Sequence, residues 1–175
     1  MLTKLFIDLV ECGIIQFGHF QAEVYPSIKT QFNLLSSYPE LLERLSQQLK
    51  EKVDPDTDKL VAAQDVLPLG FSVGSMLKRP LIYQLPLYGQ WSKDLIGAYD
   101  VGHKSSLILG MNNHLTGNLI KGCEMVGLDI TEVLCILDDG KSQLPEGVIL
   151  KSLMTLDAAL ALWKENHYLP ANYSL

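Results

Sequence analysis

The chain of 175 residues is poor in arginine and in cysteine. Arg44 and Arg79 are its two arginines, and its formal net charge is −6. No basic stripe is therefore available to bind nucleic acid or an anionic membrane surface. The three cysteines all fall within apolar patterns and form no Cys-x-x-Cys pair, which favours buried free thiols in a reducing cytoplasm over metal or redox roles.

Long apolar runs are also missing. No stretch is long enough to span a membrane, and Asp8 and Glu11 interrupt the apolar amino terminus, which therefore resembles an amphipathic helix more than a signal peptide. Apolar residues still make up 47% of the chain and charged residues 19%. This balance predicts a sizeable core, and the length favours one domain over residues 1–175.

The stretch Lys104–Gly140 organises the rest of the chain. Ser106–Leu109 is a short apolar run typical of a buried strand, and Gly110–Gly117 is polar and turn-prone. Apolar residues recur at helical spacing from Asn118, and Val133–Leu137 is a second apolar run. This order predicts a βαβ unit with parallel strands, in which the loop lies at the carboxyl edge of the sheet, where ligands bind in open α/β folds.

The flanking patterns predict an α/β fold with a mainly parallel sheet flanked by helices. Residues 1–36 are expected to form an amino-terminal helix and arm, and residues 37–175 the α/β core. The expected elements are a helix from Leu2, an arm at Ile14–Glu23, a strand near Ile28–Phe32, a helix from Pro39, a strand at Leu60–Ala63, a loop at Gln64–Gly70, a helix at Phe71–Leu77, a strand at Leu81–Leu85, a strand at Val148–Leu153 and a helix after Thr155.

Several familiar chemistries lack their residues. The four histidines are scattered, and neither a G-x-S-x-G nor a G-x-x-x-x-G-K-[ST] motif is present. Asp138 and Asp139 follow a predicted strand, but Asp-Asp-Gly is more often a turn than a metal site. We therefore predict no metal and no cofactor.

The central loop is the candidate ligand site. Its backbone N–H groups, at the start of a helix, could hold an anion, although ordinary helix capping explains the same residues somewhat better. Alternatively, an inward-turned Leu115 would close the loop. The candidate residues are Asn113, His114, Leu115, Thr116, Gly117 and Asn118, with Lys93 as a nearby cation.

The order of elements resembles the type I phosphoribosyltransferases, and orotate phosphoribosyltransferase in particular. Gly13–Phe20 is similar to that family's amino-terminal arm, G-x-x-x-F-G-x-F, and Ser37–Leu42 to the start of its first core helix. Leu60–Leu85 resembles its second βα unit, and Ser152–Asp157 its closing strand and helix. The resemblance implies a phosphoribosyltransferase-like sheet with an amino-terminal hood.

The chain departs from that family where chemistry is expected. The family places two acids after the central strand to serve the ribose hydroxyls of phosphoribosyl pyrophosphate, whereas Gly110 and Met111 stand here. Pro86-Leu87 replace an Arg-Lys pair, and the segment Tyr88–Asp94 offers only Lys93 where a cationic loop is expected. Asp139 replaces an arginine that helps to hold the orotate carboxylate.

These departures favour a protein that has lost catalysis and that binds or senses a phosphorylated or nucleotide-like metabolite in the cytoplasm. One alternative is a divergent active enzyme whose acids come from elsewhere, such as Asp138 or Asp139. Another is a structural subunit of an active homologue. A homodimer is expected, because the family pairs through the region that here offers Phe71, Met76, Leu77, Tyr83, Leu85, Leu87, Tyr88 and Trp91. The alternative is that these residues simply belong to the core.

Overall fold

The computed structural model describes residues 2–21, 25–84, 95–170 and 173. Its helices are α1 (Leu2–Glu11), α2 (Pro39–Lys50), α3 (Leu67–Leu77), α4 (Thr116–Met125) and α5 (Leu156–Glu165). Its strands are β1 (Ile15–Phe17), β2 (Ile28–Thr30), β3 (Lys59–Ala62), β4 (Leu81–Gln84), β5 (Leu95–Ile96), β6 (Lys104–Asn112), β7 (Asp129–Asp138) and β8 (Ile149–Thr155). Short 3-10 helices cover Phe32–Ser37 and Gln64–Val66. None of the described helices is long and apolar enough to cross a membrane.

The main sheet has six strands in the order β5-β4-β3-β6-β7-β8. All of its neighbouring strands are parallel except β4 and β5, which pair antiparallel. The predicted α/β class and the predicted parallel pairing of β6 with β7 are confirmed. In such a sheet the carboxyl ends of β3, β6 and β7 meet at one edge, and the loops that follow them converge there.

The amino-terminal arm is a two-stranded antiparallel hairpin of β1 and β2. The arm packs against α5 through Phe17, whose ring contacts that of Trp163 edge-on with 5.3 Å between the ring centroids. The indole N–H of Trp163 also donates to the Phe6 carbonyl at 2.9 Å, which joins α5 to α1. Trp163 and Phe6 are fully buried, so this contact closes one side of the core.

Two sequence expectations are wrong at element boundaries. The expected loop Gln64–Gly70 is helical instead, and α3 begins at Leu67, with Pro68 in its first turn, where a missing N–H costs nothing. The expected loop Gly110–Gly117 shrinks to three residues, because β6 continues to Asn112 and α4 begins at Thr116.

A buried polar cluster holds the segment before β3 against the sheet. The Glu132 carboxylate accepts hydrogen bonds from the Asp54 amide at 2.9 Å and from the Ser106 hydroxyl at 2.5 Å. The Lys151 ammonium lies 2.6 Å from the other Glu132 oxygen, as an ion pair outside hydrogen-bond geometry. Because Glu132 is 2% exposed, these partners offset the cost of burying its charge.

Candidate ligand site at the carboxyl edge

The three-residue connection between β6 and α4 is held by its own side chains. The Asn113 side-chain oxygen accepts a hydrogen bond from the Leu115 amide at 2.8 Å, and the Thr116 hydroxyl accepts one from the Asn113 amide at 3.2 Å. Thr116 is buried, whereas His114 and Leu115 are exposed. Leu115 therefore does not turn inward, and the sequence gives this connection its shape through Asn113 and Thr116.

The amides at the start of α4 are partly used. Thr116 donates to the Asn113 carbonyl and Asn118 to the Leu115 carbonyl, both at 3.0 Å. Among the described residues, no backbone acceptor pairs with the Gly117 amide. Gly117 also lies beneath the loop that follows β7, since its missing Cβ would stand 3.4 Å from the Gln143 carbonyl oxygen. The six predicted loop residues therefore form the connection after β6 and the first turn of α4. Lys93 lies outside the described residues.

Gly110 lies in β6 where two other elements press on it. A Cβ on Gly110 would overlap the ring of Phe32 and would stand 2.5 Å from the Asp65 carboxylate oxygen. Phe32 is fully buried. The position can therefore hold only glycine without a shift of the 3-10 helix above it or of the segment after β3.

Asp65 is the acid that sequence reasoning missed. It is an exposed residue, yet enough protein surrounds its carboxyl that burial raises its pKa to about 6, against the opposing effect of the nearby Gly110 N–H. The signal for Asp65 was its place two residues after the predicted strand Leu60–Ala63, at the carboxyl edge of the sheet.

Asp138 and Asp139 have partners within the protein. Asp138 accepts a hydrogen bond from the Asn112 side-chain amide at 2.7 Å and one from the Gly140 amide at 3.1 Å. Asp139 accepts one from the Lys141 amide at 2.8 Å and one from the Tyr25 hydroxyl. These bonds favour the predicted turn at Asp-Asp-Gly, and among the described residues no group of three metal-ligating side chains forms.

Tyr25 brings the amino-terminal arm to this edge. The Lys141 ammonium lies 5.6 Å from the centre of the Tyr25 ring, within cation–π range. Burial, reinforced by the Asp139 carboxylate, raises the pKa of the Tyr25 phenol. The sequence offered no signal for the contact between Tyr25 and Asp139, because these two residues are 114 positions apart.

No protein-family model and no curated protein matches the chain. Solved structures do match it. The UMP synthase of Leishmania donovani has a TM-score of 0.76 at 17% identity, over 97% of this chain and 39% of that chain. Orotate phosphoribosyltransferase from Aeropyrum pernix has a TM-score of 0.69 at 19% identity, over 97% of this chain and 100% of that chain.

A second activity class shares the same architecture. Adenine phosphoribosyltransferase from Rhodothermus marinus has a TM-score of 0.63 at 16% identity, over 87% of this chain and 99% of that chain. The mainly parallel sheet and the flanking helices fit these structures, as the sequence resemblance implied. The chain therefore has the type I phosphoribosyltransferase fold.

Proposed function

We propose that this protein is a non-catalytic member of its fold that binds a small phosphorylated or nucleotide-like metabolite in the cytoplasm. The observation that carries the proposal is the close packing around Gly110, where the resembled family has an acid. A side chain at that position would require its neighbours to shift, because its Cβ would overlap the buried Phe32 ring and would stand 2.5 Å from the Asp65 carboxylate oxygen. This close packing supports a site adapted to the absence of an acid over an active site with a single substitution.

The distribution of cations supports the same proposal. Transfer of a ribosyl group from a pyrophosphate leaving group needs positive charge where negative charge develops. Arg44 pairs with Asp8 between α2 and α1, and the Arg79 guanidinium donates to the Pro55 carbonyl at 3.1 Å, at the amino end of β3. Both arginines are thus engaged away from the carboxyl edge.

The divergent-enzyme alternative, in its form with Asp138 or Asp139 as the acid, requires one of these carboxylates to be free. Asp138 and Asp139, the two residues considered for that role, are held by hydrogen bonds from Asn112 and Tyr25 and from turn amides. The non-catalytic reading accounts for these bonds without moving either residue.

The ligand is proposed to place its anionic group at the start of α4. The positive end of the helix dipole and the Gly117 amide favour an anion there, and the exposed Asn118 and His114 side chains can add donors. One exposed helix end contributes only about 0.3–1 kcal/mol, so phosphate alone should bind weakly and a larger ligand should bind better.

We also propose that the protein is a homodimer that pairs through α3 and β4. Phe71 on α3 is 53% exposed and its ring lies 5.6 Å from that of Tyr83 on β4, so two aromatic side chains share this surface. Leu85, Leu87, Tyr88 and Trp91, which were expected to extend it, lie outside the described residues. An exposed phenylalanine beside a partly exposed tyrosine is the surface that we propose the partner copy covers.

Isothermal titration with ribose 5-phosphate, uridine monophosphate and inorganic phosphate tests the binding function. We expect at least one of the two larger ligands to bind more tightly than inorganic phosphate, and Gly117→Pro, which removes the free amide, to weaken all three. Gly122→Ala, a change further along α4 where nothing lies within 4 Å of the missing Cβ, is the comparison. Absence of binding by all three ligands at millimolar concentration would overturn the proposal.

A further inference from the structure

We propose that Asp65 determines which ligands this cleft accepts. Its carboxylate takes hydrogen bonds from ligand hydroxyl groups, and its charge excludes a second anionic group, such as a pyrophosphate, from the β3 side of the cleft. The inference rests on the proposed function and adds the ligand class, a sugar that carries one phosphate.

The position of Asp65 places an acceptor between the two central strands. It follows β3, which pairs with β6, and its carboxylate lies against Gly110 at the carboxyl edge. The anion site proposed at α4 follows the same strand, β6, after three further residues. One ligand can therefore reach both β3 and α4 across the end of β6.

The carboxylate of Asp65 has hydrogen-bond acceptor positions that no described side chain fills. An ionised carboxylate offers about four acceptor positions, and among the described residues no side chain donates to Asp65 and no cation pairs with it. The backbone N–H of Gly110 is the one neighbouring-residue donor that affects its pKa. Since Asp65 is exposed, the remaining positions are open to a ligand from solvent.

The chemistry of that ligand follows from the charge. A hydroxyl group donates a hydrogen bond to a carboxylate, and such charge-assisted bonds are stronger than neutral ones. A phosphate or pyrophosphate in the same place would meet an uncompensated negative charge. A charge placed against the wrong ligand gives specificity as effectively as a contact with the right one.

Titration of three ligands against three proteins tests the inference. The ligands are ribose 5-phosphate, inorganic phosphate and inorganic pyrophosphate, and the proteins are the wild type, Asp65→Asn and Asp56→Asn. Asp56 makes a matched control because it is exposed at the amino end of β3, opposite to the cleft, and its replacement removes the same charge.

For the wild type we expect ribose 5-phosphate to bind more tightly than either inorganic anion. Asp65→Asn should weaken ribose 5-phosphate by about tenfold, the loss typical of one charge-assisted hydrogen bond, while phosphate changes little. The same variant should bind pyrophosphate more tightly than the wild type does. Asp56→Asn should leave all three affinities unchanged.

Two failures can be told apart. If the wild type binds phosphate and ribose 5-phosphate but Asp65→Asn leaves the ratio of their affinities unchanged, the role of Asp65 is overturned and the binding function stands. If the wild type binds none of the three ligands, both proposals are overturned. Circular dichroism and thermal melting of Asp65→Asn, a nearly isosteric change, verify that the comparison is made on folded protein.

Discussion

The Tyr25 hydroxyl donates a hydrogen bond to the carboxylate of Asp139 and so joins the amino-terminal arm to the end of β7. By the sequence resemblance, Asp139 stands where orotate phosphoribosyltransferases have an arginine that helps to hold the orotate carboxylate. In this chain the Asp139 carboxylate accepts a hydrogen bond from Tyr25 of the arm. This hydrogen bond holds the arm against the carboxyl edge of the sheet.

Tyr25→Phe should loosen the arm without unfolding the core. Removing the hydroxyl leaves Asp139 with its backbone partner only, at a cost of about 1 kcal/mol. Hydrogen exchange of the amides in β1 and β2 should become faster, while exchange in β6 and β7 stays the same. Tyr168→Phe, which removes an exposed bond to Glu11, is the control. Equal exchange in Tyr25→Phe and wild type would show that the bond does not hold the arm.

Gly110→Asp, which restores an acid to β6, should destabilise the protein. The new Cβ would stand 2.5 Å from the Asp65 oxygen and would overlap Phe32, and overpacking of this kind costs about 1–3 kcal/mol. The added charge beside Asp65 should increase the loss further. Urea unfolding measures the change.

In the same urea experiment, Gly122→Ala should raise the free energy of unfolding, whereas Gly110→Asp should lower it. Gly122 lies within α4 with nothing within 4 Å of its missing Cβ. Alanine should stabilise the helix there by about 0.5–1 kcal/mol. If Gly110→Asp were as stable as wild type, the repacking around Gly110 would be disproved.

Glu132→Ala should be more damaging than Tyr25→Phe. It removes the acceptor for the Asp54 amide and the Ser106 hydroxyl and leaves the Lys151 ammonium without its ion-pair partner. Breaking a buried pair costs about 3–5 kcal/mol, and the 30% exposure of the Lys151 side chain places the expected loss near the lower end. Glu124→Ala, on the exposed face of α4, should change the free energy of unfolding by less than about 0.5 kcal/mol.

The stability of the protein should depend on pH through Asp65. Burial raises the pKa of its carboxyl from 3.8 to about 6, so the native state holds the proton more tightly than the unfolded state does. The contribution of Asp65 therefore favours folding below about pH 4 and is lost as the pH rises to about 6. Asp65→Asn should be more stable than wild type at neutral pH and no more stable at about pH 4. A melting-temperature difference that is independent of pH would contradict this.

Phe71→Ser should shift the protein from dimer to monomer. The change removes an aromatic side chain that is 53% exposed on α3, and the monomer mass is 19.5 kDa. Sedimentation at micromolar concentration should show twice that mass for the wild type and for Met125→Ser, whose methionine is 72% exposed elsewhere. A wild type that sediments only as a monomer would reject the dimer.

Periodicity and turn residues predicted the βαβ unit, the parallel sheet and the first and last helices. They succeeded because apolar spacing within one element is local information, as in the buried Leu41, Leu45 and Leu49 of α2. They failed at Gln64–Gly70, where the glycine and the proline suggested a loop but tertiary packing of α3 on the sheet maintains a helix.

The site was harder to predict than the fold. The loop residues Asn113–Asn118 could be proposed from the sequence because they adjoin one another in the chain, and their role stays a prediction. The contacts of Gly110 with Asp65 and of Tyr25 with Asp139 join distant parts of the chain, and the pattern of one segment carries no information about the other. A glycine in an apolar strand gave a hint, since it often marks a close approach of another group.

Formation of orotidylate from orotate and phosphoribosyl pyrophosphate tests the central claim most directly. With the purified protein and magnesium, the account predicts no product above that of a control without protein, because no acid is held at Gly110 and the two arginines are engaged elsewhere. Product that rises with protein concentration and is lost in Asp65→Asn, but not in Asp56→Asn, would contradict the account and show an active transferase whose acid comes from the segment after β3.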